Sequence, residues 1–257
     1  ARTAVDHDAD VDPARAEPPG RHHLLQQPLS SFIGRATDIG DIARLLSVDR
    51  LVTLRGLGGI GKTSLALRVA ARQATEFEDG VWFIDFAYFA PTGVVSEKFL
   101  AAIGLQSGAA VTPLQQLLTQ LRPLRALLVV DNCEGHIDEI SEVVRHISHD
   151  APRVHILATS RSNLDVGGGA VWQVGPLDVS TAVELFVSRA RLVRQDFELS
   201  DSNRQIVETI CTKLDGIPLA IELAAARLNV LSLDQILEHL DDRFALLTDH
   251  THIRRDE

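Results

Sequence analysis

The sequence predicts an α/β fold, a parallel sheet flanked by helices, followed by a small all-helical domain. Short runs rich in Val, Ile and Leu alternate with helical patterns from about residue 30 to residue 175. Such nearly continuous apolar runs are typical of strands buried on both faces of a parallel sheet. After Pro176, apolar residues recur at helical spacing and no strand-like run follows. The 257 residues, 45% hydrophobic and 23% charged, suffice for a full core and have an ordinary globular composition.

The elements of the α/β part follow one another in a regular alternation. Strands are predicted at residues 51–54, 81–86, 126–130 and 154–159, with a short further strand at 170–174. Helices are predicted between them at residues 62–75, 95–103, 113–121 and 137–148. This alternation indicates a doubly wound sheet with right-handed crossovers. Ligands in such sheets bind at the carboxyl ends of the strands.

Helices alone are expected in the last third of the chain. Their predicted ranges are 180–193, 203–213, 217–228 and 233–247. Thr181 with Glu184, and Ser232 with Gln235, have the spacing of capping boxes. The predicted organisation is a disordered linker at 1–28, an α/β domain at 29–175, a helical domain at 176–248 and a polar tail at 249–257.

Charge and composition exclude several classes of function. The formal net charge of −10 argues against broad nucleic-acid contact by this segment. No apolar run is long enough to span a bilayer, and the N-terminus does not resemble a signal peptide. Cys133 and Cys211 are too few for a disulfide framework, so a cytoplasmic location is predicted. The chain contains no methionine, and we therefore expect it to be a segment of a longer protein or to be numbered from an internal point.

The most specific motif is GLGGIGKT at residues 56–63, which matches G-x-x-x-x-G-K-[ST] between a predicted strand and a predicted helix. Glycines let successive backbone N–H groups turn toward a polyphosphate, and the positive end of the following helix dipole points at the same anion. A glycine-rich turn without a ligand is the alternative, which both flanks disfavour. The motif predicts a nucleotide site whose binding residues are Gly56, Gly58, Gly59, Ile60, Gly61, Lys62, Thr63 and Ser64.

Two of these side chains have individual roles in that prediction. Lys62 reaches the outer phosphates, and the Thr63 hydroxyl binds Mg²⁺. Asp131, which ends the apolar run at 126–130, is the second predicted metal residue, because a carboxylate at a strand end can hold Mg²⁺ opposite the threonine. A capping or surface aspartate is the alternative interpretation. Arg161 follows the run at 154–159, where an arginine can bind a γ-phosphate through charge-assisted hydrogen bonds or can simply be solvated.

Hydrolysis requires a group that orients or deprotonates water. Asn132 can position water but cannot accept a proton at neutral pH. Glu134 is the nearest carboxylate, and it either acts as the base or caps the helix that begins near His136; the sequence leaves both open. Slow turnover is therefore expected, as in a switch rather than a motor.

Together, these motifs resemble those of the STAND class of signal-transduction ATPases, specifically the NB-ARC-like P-loop module of bacterial regulators of the LuxR and AfsR type. The resemblance covers about residues 28–248 and is carried by SFIGR at 31–35, the phosphate loop, DNCE at 131–134 and CTKLDGIPLAIELAAARL at 211–228. It implies that the nucleotide is ATP or ADP. It further implies that Ile33, Gly34 and Arg35 contact the adenine side, that Pro218 packs against base and sugar, and that Arg161 is a sensor arginine.

The resemblance also implies partners. Relatives continue into a winged-helix domain and repeat arrays, so sensor and effector domains, and nucleotide-dependent self-association, are expected for a longer protein. The predicted function is an ATP- and ADP-binding signalling ATPase module that acts as a slow switch in a regulator of transcription. The alternatives are a structural module that binds ADP or ATP without hydrolysis, and an AAA+-type ATPase.

Overall fold

The computed structural model describes residues 32–90, 92–108 and 110–249, with side chains up to Asp241. The predicted linker at 1–28 and tail residues 250–257 lie outside the described residues. The strands are β1 Leu51–Arg55, β2 Gly80–Asp85, β3 Ala126–Asp131, β4 His155–Ser160 and β5 Ala170–Gln173. They form one sheet in the order β2-β3-β4-β1-β5, and every pairing is parallel. The predicted α/β class is confirmed.

The described helices are α1 Ala36–Val48, α2 Lys62–Gln73, α3 Val95–Ala102, α4 Pro113–Leu121, α5 Ile137–Asp150, α6 Val179–Val193, α7 Asp201–Lys213, α8 Pro218–Ala226 and α9 Leu233–Asp249. Helix α1 was not predicted from the sequence. Its N-cap residue, Arg35, has a left-handed backbone and makes no side-chain capping bond, so the usual start signal is absent. Gly40 further weakens the helical pattern, whereas burial of Ile42 and Leu46 against α2 and β1 stabilises the helix.

The sheet is buried on both faces, which explains the continuous apolar runs. Alternate residues of β3 point in opposite directions: Leu127 and Val129 pack with the core formed by α1 and α2, and Leu128 and Val130 pack with the core formed by α3, α4 and α5. All four are fully buried. Each such side chain contributes about 1.5–3 kcal/mol through removal from water, so the centre of the sheet is a rigid base for the loops at its edge.

Helices α6–α9 have an apolar core of their own, built around Phe186, Val207, Ile210 and Ile221. Among the described residues, no helix is both long enough and apolar enough to cross a bilayer. Ser232 and Gln235 form the predicted cap of α9, since Ser232 N–H donates to Gln235 Oε1 (2.9 Å) and Gln235 N–H donates to Ser232 Oγ (3.2 Å).

The predicted capping box of Thr181 with Glu184 is wrong. Helix α6 begins earlier, at Val179, and its N-cap is Asp178. The Asp178 carboxylate accepts hydrogen bonds from Thr181 N–H (3.0 Å) and Thr181 Oγ1 (2.8 Å). A carboxylate three residues before Thr181 is the better acceptor for the first-turn amides, so the threonine is a donor here and not the cap.

Candidate functional site

The loop at residues 56–61, which is called the phosphate loop or the glycine loop below, connects β1 to α2 at the carboxyl edge of the sheet. Gly59 and Gly61 have left-handed backbones, with φ of +75° and +92°, which only glycine adopts without strain. Ile60, between them, is 2% exposed and packs into the core between the sheet and helices α1 and α2. The Ile60 side chain therefore fixes the loop to the core, and the two glycines let the backbone turn into the start of α2.

Lys62, the first residue of α2, lies across this loop. Its Nζ donates to the carbonyl oxygens of Gly56 and Leu57, both at 2.9 Å. Burial lowers the pKa of Lys62; Glu134 raises it and Arg161 lowers it further through their charges. The acceptors of the lysine are neutral, and phosphate oxygens would form stronger, charge-assisted hydrogen bonds with the same ammonium group.

Thr63 and Asp131 are in direct contact, although 68 residues separate them. Thr63 Oγ1 lies 2.9 Å from each carboxylate oxygen of Asp131, which is 1% exposed. Burial raises the pKa of Asp131, while hydrogen bonds from Thr159 and Thr63 oppose that shift. A hydroxyl and a carboxylate are hard oxygen ligands of the kind that Mg²⁺ prefers.

The site fits a metal that arrives with phosphate better than a metal held by protein alone. Within the described ranges, no group of three or more His, Cys, Asp or Glu side chains is arranged to hold a metal ion. Mg²⁺ commonly binds to one or two carboxylates together with substrate phosphates and water. Thr63 and Asp131, next to the glycine-containing loop at residues 56–61, match that pattern.

The side-chain NH₂ group of Asn132 is hydrogen-bonded within the protein. The Nδ2 group donates to Asp85 Oδ1 (2.8 Å) and to Asp131 Oδ2 (2.9 Å), so both amide hydrogens are used. The residue has a left-handed backbone with φ of 59°, and its N–H donates to Thr159 Oγ1 (3.1 Å). That Asn132 can position water stays a prediction, and its side-chain N–H groups are not available for it. The structure adds Asp85, an acid one residue before the end of the run 81–86, which the local sequence does not mark as a site residue.

Glu134 pairs with Arg161 and does not cap α5. Glu134 Oε1 lies 3.0 Å from Arg161 Nε. Helix α5 begins at Ile137 with His136 as its N-cap and with no side-chain capping bond. The other carboxylate oxygen, Glu134 Oε2, is buried and has no hydrogen-bond partner among the described residues.

Arg161 also lies over the phosphate loop. A Cβ atom built on Gly58 would be 3.3 Å from Arg161 Nη2. The cation is thus close both to the candidate base, Glu134, and to the loop that begins after β1. These three elements follow β1, β3 and β4, the neighbouring strands whose carboxyl ends meet at this edge.

A narrow pocket of about 70 Å³ adjoins the loop. Its lining includes Ile33, Arg35, Ser64 and Pro218, and the remaining lining residues are Phe32, Gly61, Leu177, Leu185, Arg189 and Glu222. Ligand pockets usually measure roughly 300–1,000 Å³, so this one is small for a base and sugar.

Gly34 is not among the residues lining this pocket. A Cβ atom at Gly34 would be 2.4 Å from Thr181 Cγ2, so Gly34 packs against α6. The structure therefore assigns Gly34 a packing contact with the helical part of the chain.

The guanidinium group of Arg35 is bonded within the protein. Nη2 donates to the carbonyl oxygens of Ile60 (3.1 Å) and Gly175 (2.7 Å), and Nη1 pairs with Asp38 at 3.0 Å. One side chain therefore joins the start of α1, the phosphate loop and the segment that leads into α6. Arg35 lines the pocket, but its donors are directed at backbone carbonyls and at Asp38.

The start of α8 rests on the phosphate loop. Leu219 N–H donates to Gly59 O at 3.1 Å, and Pro218 Cγ lies 3.8 Å from the position of a Cβ on Gly61. Before the helix, Gly216 has φ of +62°, and its carbonyl accepts from Leu177 N–H at 2.9 Å. The Gly216-Ile217-Pro218 turn therefore brings the helical part of the chain against the loop.

Comparison with known proteins finds regulators among the relatives. No protein-family model matches the chain. It is 42% identical over 226 residues to an uncharacterized protein of Mycobacterium tuberculosis, covering 88% of this chain and 58% of that protein. A protein of the same species named as an HTH-type transcriptional regulator is 40% identical over 204 residues, covering 79% and 23%. The regulatory protein AfsR of Streptomyces coelicolor is 28% identical over 222 residues, covering 79% and 22%. The chain thus spans less than two thirds of the length of these relatives.

Solved structures agree on the fold. The Walker-type ATPase of Pyrococcus abyssi superposes with a TM-score of 0.62 at 15% identity, covering 87% of this chain and 76% of that one. A Signal Transduction ATPase with Numerous Domains from Pyrococcus horikoshii, which has a tetratricopeptide repeat sensor, superposes with a TM-score of 0.50 at 17% identity, covering 90% and 34%. At such identities the likeness concerns the fold alone, which is that of P-loop ATPases with helices after the sheet.

Proposed function

We propose that this chain is an ATP- and ADP-binding module of a longer regulatory protein, with a nucleotide-binding domain at residues 29–175 and a helical domain at 176–248. The observation that carries the proposal is the contact of Thr63 Oγ1 with both oxygens of Asp131, 2.9 Å each, beside a glycine loop that ends in Lys62. Burying the Asp131 carboxylate costs free energy relative to leaving it in water, and the fold alone gives no reason for that burial. The regulator names of two relatives support the wider context.

Different groups of the chain would bind different parts of the Mg²⁺–nucleotide. Lys62 and the loop amides would hold the phosphates, and Thr63 and Asp131 would hold Mg²⁺. At these two residues, Mg²⁺ would supply positive charge that offsets the negative charge of the phosphates. Ile33 and Pro218 would border the base and sugar in an NB-ARC-like manner, a part of the proposal supported by the pocket that they line.

A switch is the mode of action that the contacts favour. Arg161 would exchange Glu134 for a γ-phosphate oxygen when ATP replaces ADP, because both partners are anionic acceptors for one guanidinium group. The base pocket of about 70 Å³ would have to widen on binding, and α8 borders it through Pro218. Since Leu219 is hydrogen-bonded to Gly59, such a movement would be coupled to the phosphate loop.

Hydrolysis would be slow, because the groups that could orient or deprotonate water are partly bonded within the protein. Both amide hydrogens of Asn132 are bonded to carboxylates, and Glu134 is paired with Arg161 through one of its two oxygens. The same observation favours a second candidate function, a module that binds ADP or ATP and never hydrolyses it.

The first experiment measures binding. Nucleotide carried by the purified protein is identified by chromatography, and the dissociation constants of ADP and ATP are measured with Mg²⁺ by titration calorimetry. We expect Lys62→Ala to weaken binding on the order of 100-fold, since charge-assisted bonds worth about 2–3 kcal/mol are lost. Lys98→Ala, on α3 away from the loop, is the matched control and should bind as the unaltered protein does. Equal affinity of Lys62→Ala and the unaltered protein would refute the site.

The second experiment separates the two candidate functions. Phosphate release is measured for the unaltered protein, Asp131→Ala, Glu134→Gln and Lys62→Ala. Turnover above that of Lys62→Ala, reduced in the other two variants, supports the slow ATPase. Turnover no higher than that of Lys62→Ala leaves the non-hydrolysing module.

A further inference from the structure

One side chain links the carboxyl ends of β2 and β3. Asp85 and Asp131 are the last residues of these strands and lie opposite each other in the parallel register. The carboxamide of Asn132 bridges them, with Nδ2 at 2.8 Å from Asp85 Oδ1 and at 2.9 Å from Asp131 Oδ2. Two neighbouring carboxylates repel each other, and a bridging amide that donates to both offsets that repulsion.

Asp85 is itself held in place. Its Oδ1 also accepts the backbone N–H of Ala87 at 2.8 Å, so the acceptor that Asn132 uses is directed by its own loop. Asp85 thus anchors the carboxamide, and the carboxamide in turn bonds the buried Asp131.

The bridge determines how Asp131 faces Thr63. Asn132 Nδ2 occupies the Oδ2 side of the carboxylate, and the Thr159 hydroxyl donates to Oδ1. With both oxygens bonded from the sheet, rotation of the carboxyl group is restrained and its remaining lone pairs are directed at Thr63 Oγ1. An aspartate at position 132 would place a third carboxylate against the other two and would lose both donor hydrogens.

We propose that Asn132 and Asp85 are positioning residues for Mg²⁺–nucleotide binding, acting through Asp131. The inference rests on the proposed function and deepens it. Asn132 then has a function of its own at this position, as the donor that orients the carboxylate. Asp85, which does not belong to the phosphate loop, becomes part of the metal-binding apparatus.

The test measures the Mg²⁺ dependence of ADP binding, defined as the ratio of the dissociation constants in excess EDTA and in Mg²⁺. Asn132→Gly removes the carboxamide and tolerates the left-handed backbone, and Asp85→Ala removes the anchor. We expect each to lower that ratio on the order of tenfold, the loss of one charge-assisted hydrogen bond. Affinity in EDTA should stay within about twofold, because phosphate contacts by Lys62 and the loop are unaltered.

Two control variants sharpen the test. Asp85→Asn keeps an acceptor oxygen for Asn132 and Ala87, so it should retain most of the Mg²⁺ dependence. Asp79→Ala removes an acid at the other end of β2, where Oδ2 accepts Arg125 N–H at 2.7 Å. It should leave the ratio unchanged even if it lowers the unfolding temperature.

The outcomes distinguish this inference from the function on which it rests. An unaltered protein that binds no nucleotide, or binds it without Mg²⁺ dependence, contradicts both. An unaltered protein with clear Mg²⁺ dependence that Asn132→Gly and Asp85→Ala retain overturns the positioning role alone. Equal losses of ADP affinity in Mg²⁺ and in EDTA would indicate a merely structural role for the two residues, and they would also overturn the positioning role. If Asn132→Gly does not fold, the comparison of Asp85→Ala with Asp85→Asn decides by the same criteria.

Discussion

The backbone N–H of Leu219, in the first turn of α8, donates a 3.1 Å hydrogen bond to the carbonyl oxygen of Gly59 in the phosphate loop. The approach is close, since a Cβ atom on Gly59 would be 2.9 Å from Leu219 Cβ. The loop and the helix therefore meet through backbone atoms, with no side chain of residue 59 between them. We therefore expect a movement of either element to change the position of the other.

Gly59→Ala tests this contact. The variant forces an alanine into φ of +75° and against Leu219, so we expect a loss of about 1–3 kcal/mol in the free energy of unfolding, together with weaker ADP binding. Urea denaturation and calorimetric titration measure the two effects. Gly40→Ala is the control, because its Cβ meets nothing within 4 Å and alanine favours the helix. Equal stability of Gly59→Ala and the unaltered protein would show that α8 shifts to accommodate the added methyl group and that this contact contributes little to the free energy of unfolding.

The buried guanidinium of Arg35 is expected to stabilise the fold more than an exposed ion pair on the same helix. Arg35→Ala leaves the carbonyls of Ile60 and Gly175 without a donor and should lower the free energy of unfolding by about 2 kcal/mol or more. Arg44→Ala breaks a pair of the same i,i+3 spacing, but the Arg44 side chain is 75% exposed against 8% for Arg35. Its loss should cost less than about 1 kcal/mol. Similar losses in the two variants would contradict the role of Arg35 as a connection between segments.

Arg161→Ala should reduce the preference for ATP over ADP. Under the proposed function, Arg161 bonds a γ-phosphate that ADP lacks, so the ratio of the two dissociation constants should change by about tenfold in the variant. Direct titration with both nucleotides in Mg²⁺ measures it. Arg55→Ala, whose exposed guanidinium bonds to Asn163 on the loop after β4, is the neighbouring control. Equal weakening of ATP and ADP would show that Arg161 does not distinguish the nucleotides.

The N-cap of α6 makes stability depend on pH in the acid range. Hydrogen bonds from Thr181 N–H and from the Ser180 and Thr181 hydroxyls hold the pKa of Asp178 well below its usual range. A lowered pKa in the folded state means that the stabilisation is present above the unfolded value, about 3.9, and is lost as pH falls through the folded value.

Asp178→Asn checks the sign, because asparagine still caps a helix but does not titrate. Between about pH 5 and about pH 2, the unaltered protein should lose stability more steeply than the variant, as measured by thermal unfolding at each pH. Parallel curves would mean that the hydrogen bonds to the carboxylate are not maintained in solution.

Much of the fold was predictable because its signals are local. A strand buried on both faces leaves a continuous apolar run, and a helix that begins after a glycine loop is recognisable from the motif. The predicted strand at 154–159 and the observed β4, His155–Ser160, differ by one residue at each end. Lys62, Thr63 and Asp131 were predicted as site residues for the same reason, since each lies at a strand or helix end that the sequence marks.

The remaining features depend on pairing between distant segments. The contact of Asp85 with the site follows from the register that places it opposite Asp131. No local sequence pattern reveals which strands are neighbours. The partners of Glu134 and Arg161 likewise depend on the order of β3 and β4. Helix α1 was missed because packing on α2 and β1, and not a capping signal, determines where it forms.

The order of the strands has a consequence for how the chain folds during synthesis. Strand β1 has two neighbours, β4 and β5, with Leu51 opposite Ile156 and Val52 opposite Ala170. During synthesis the glycine loop, which follows β1, leaves the ribosome early. The two strands that pair with β1 follow more than a hundred residues later. Such long-range parallel pairing folds slowly and leaves apolar strands exposed meanwhile. Nascent chains interrupted before β4 should thus depend on chaperones and carry no nucleotide.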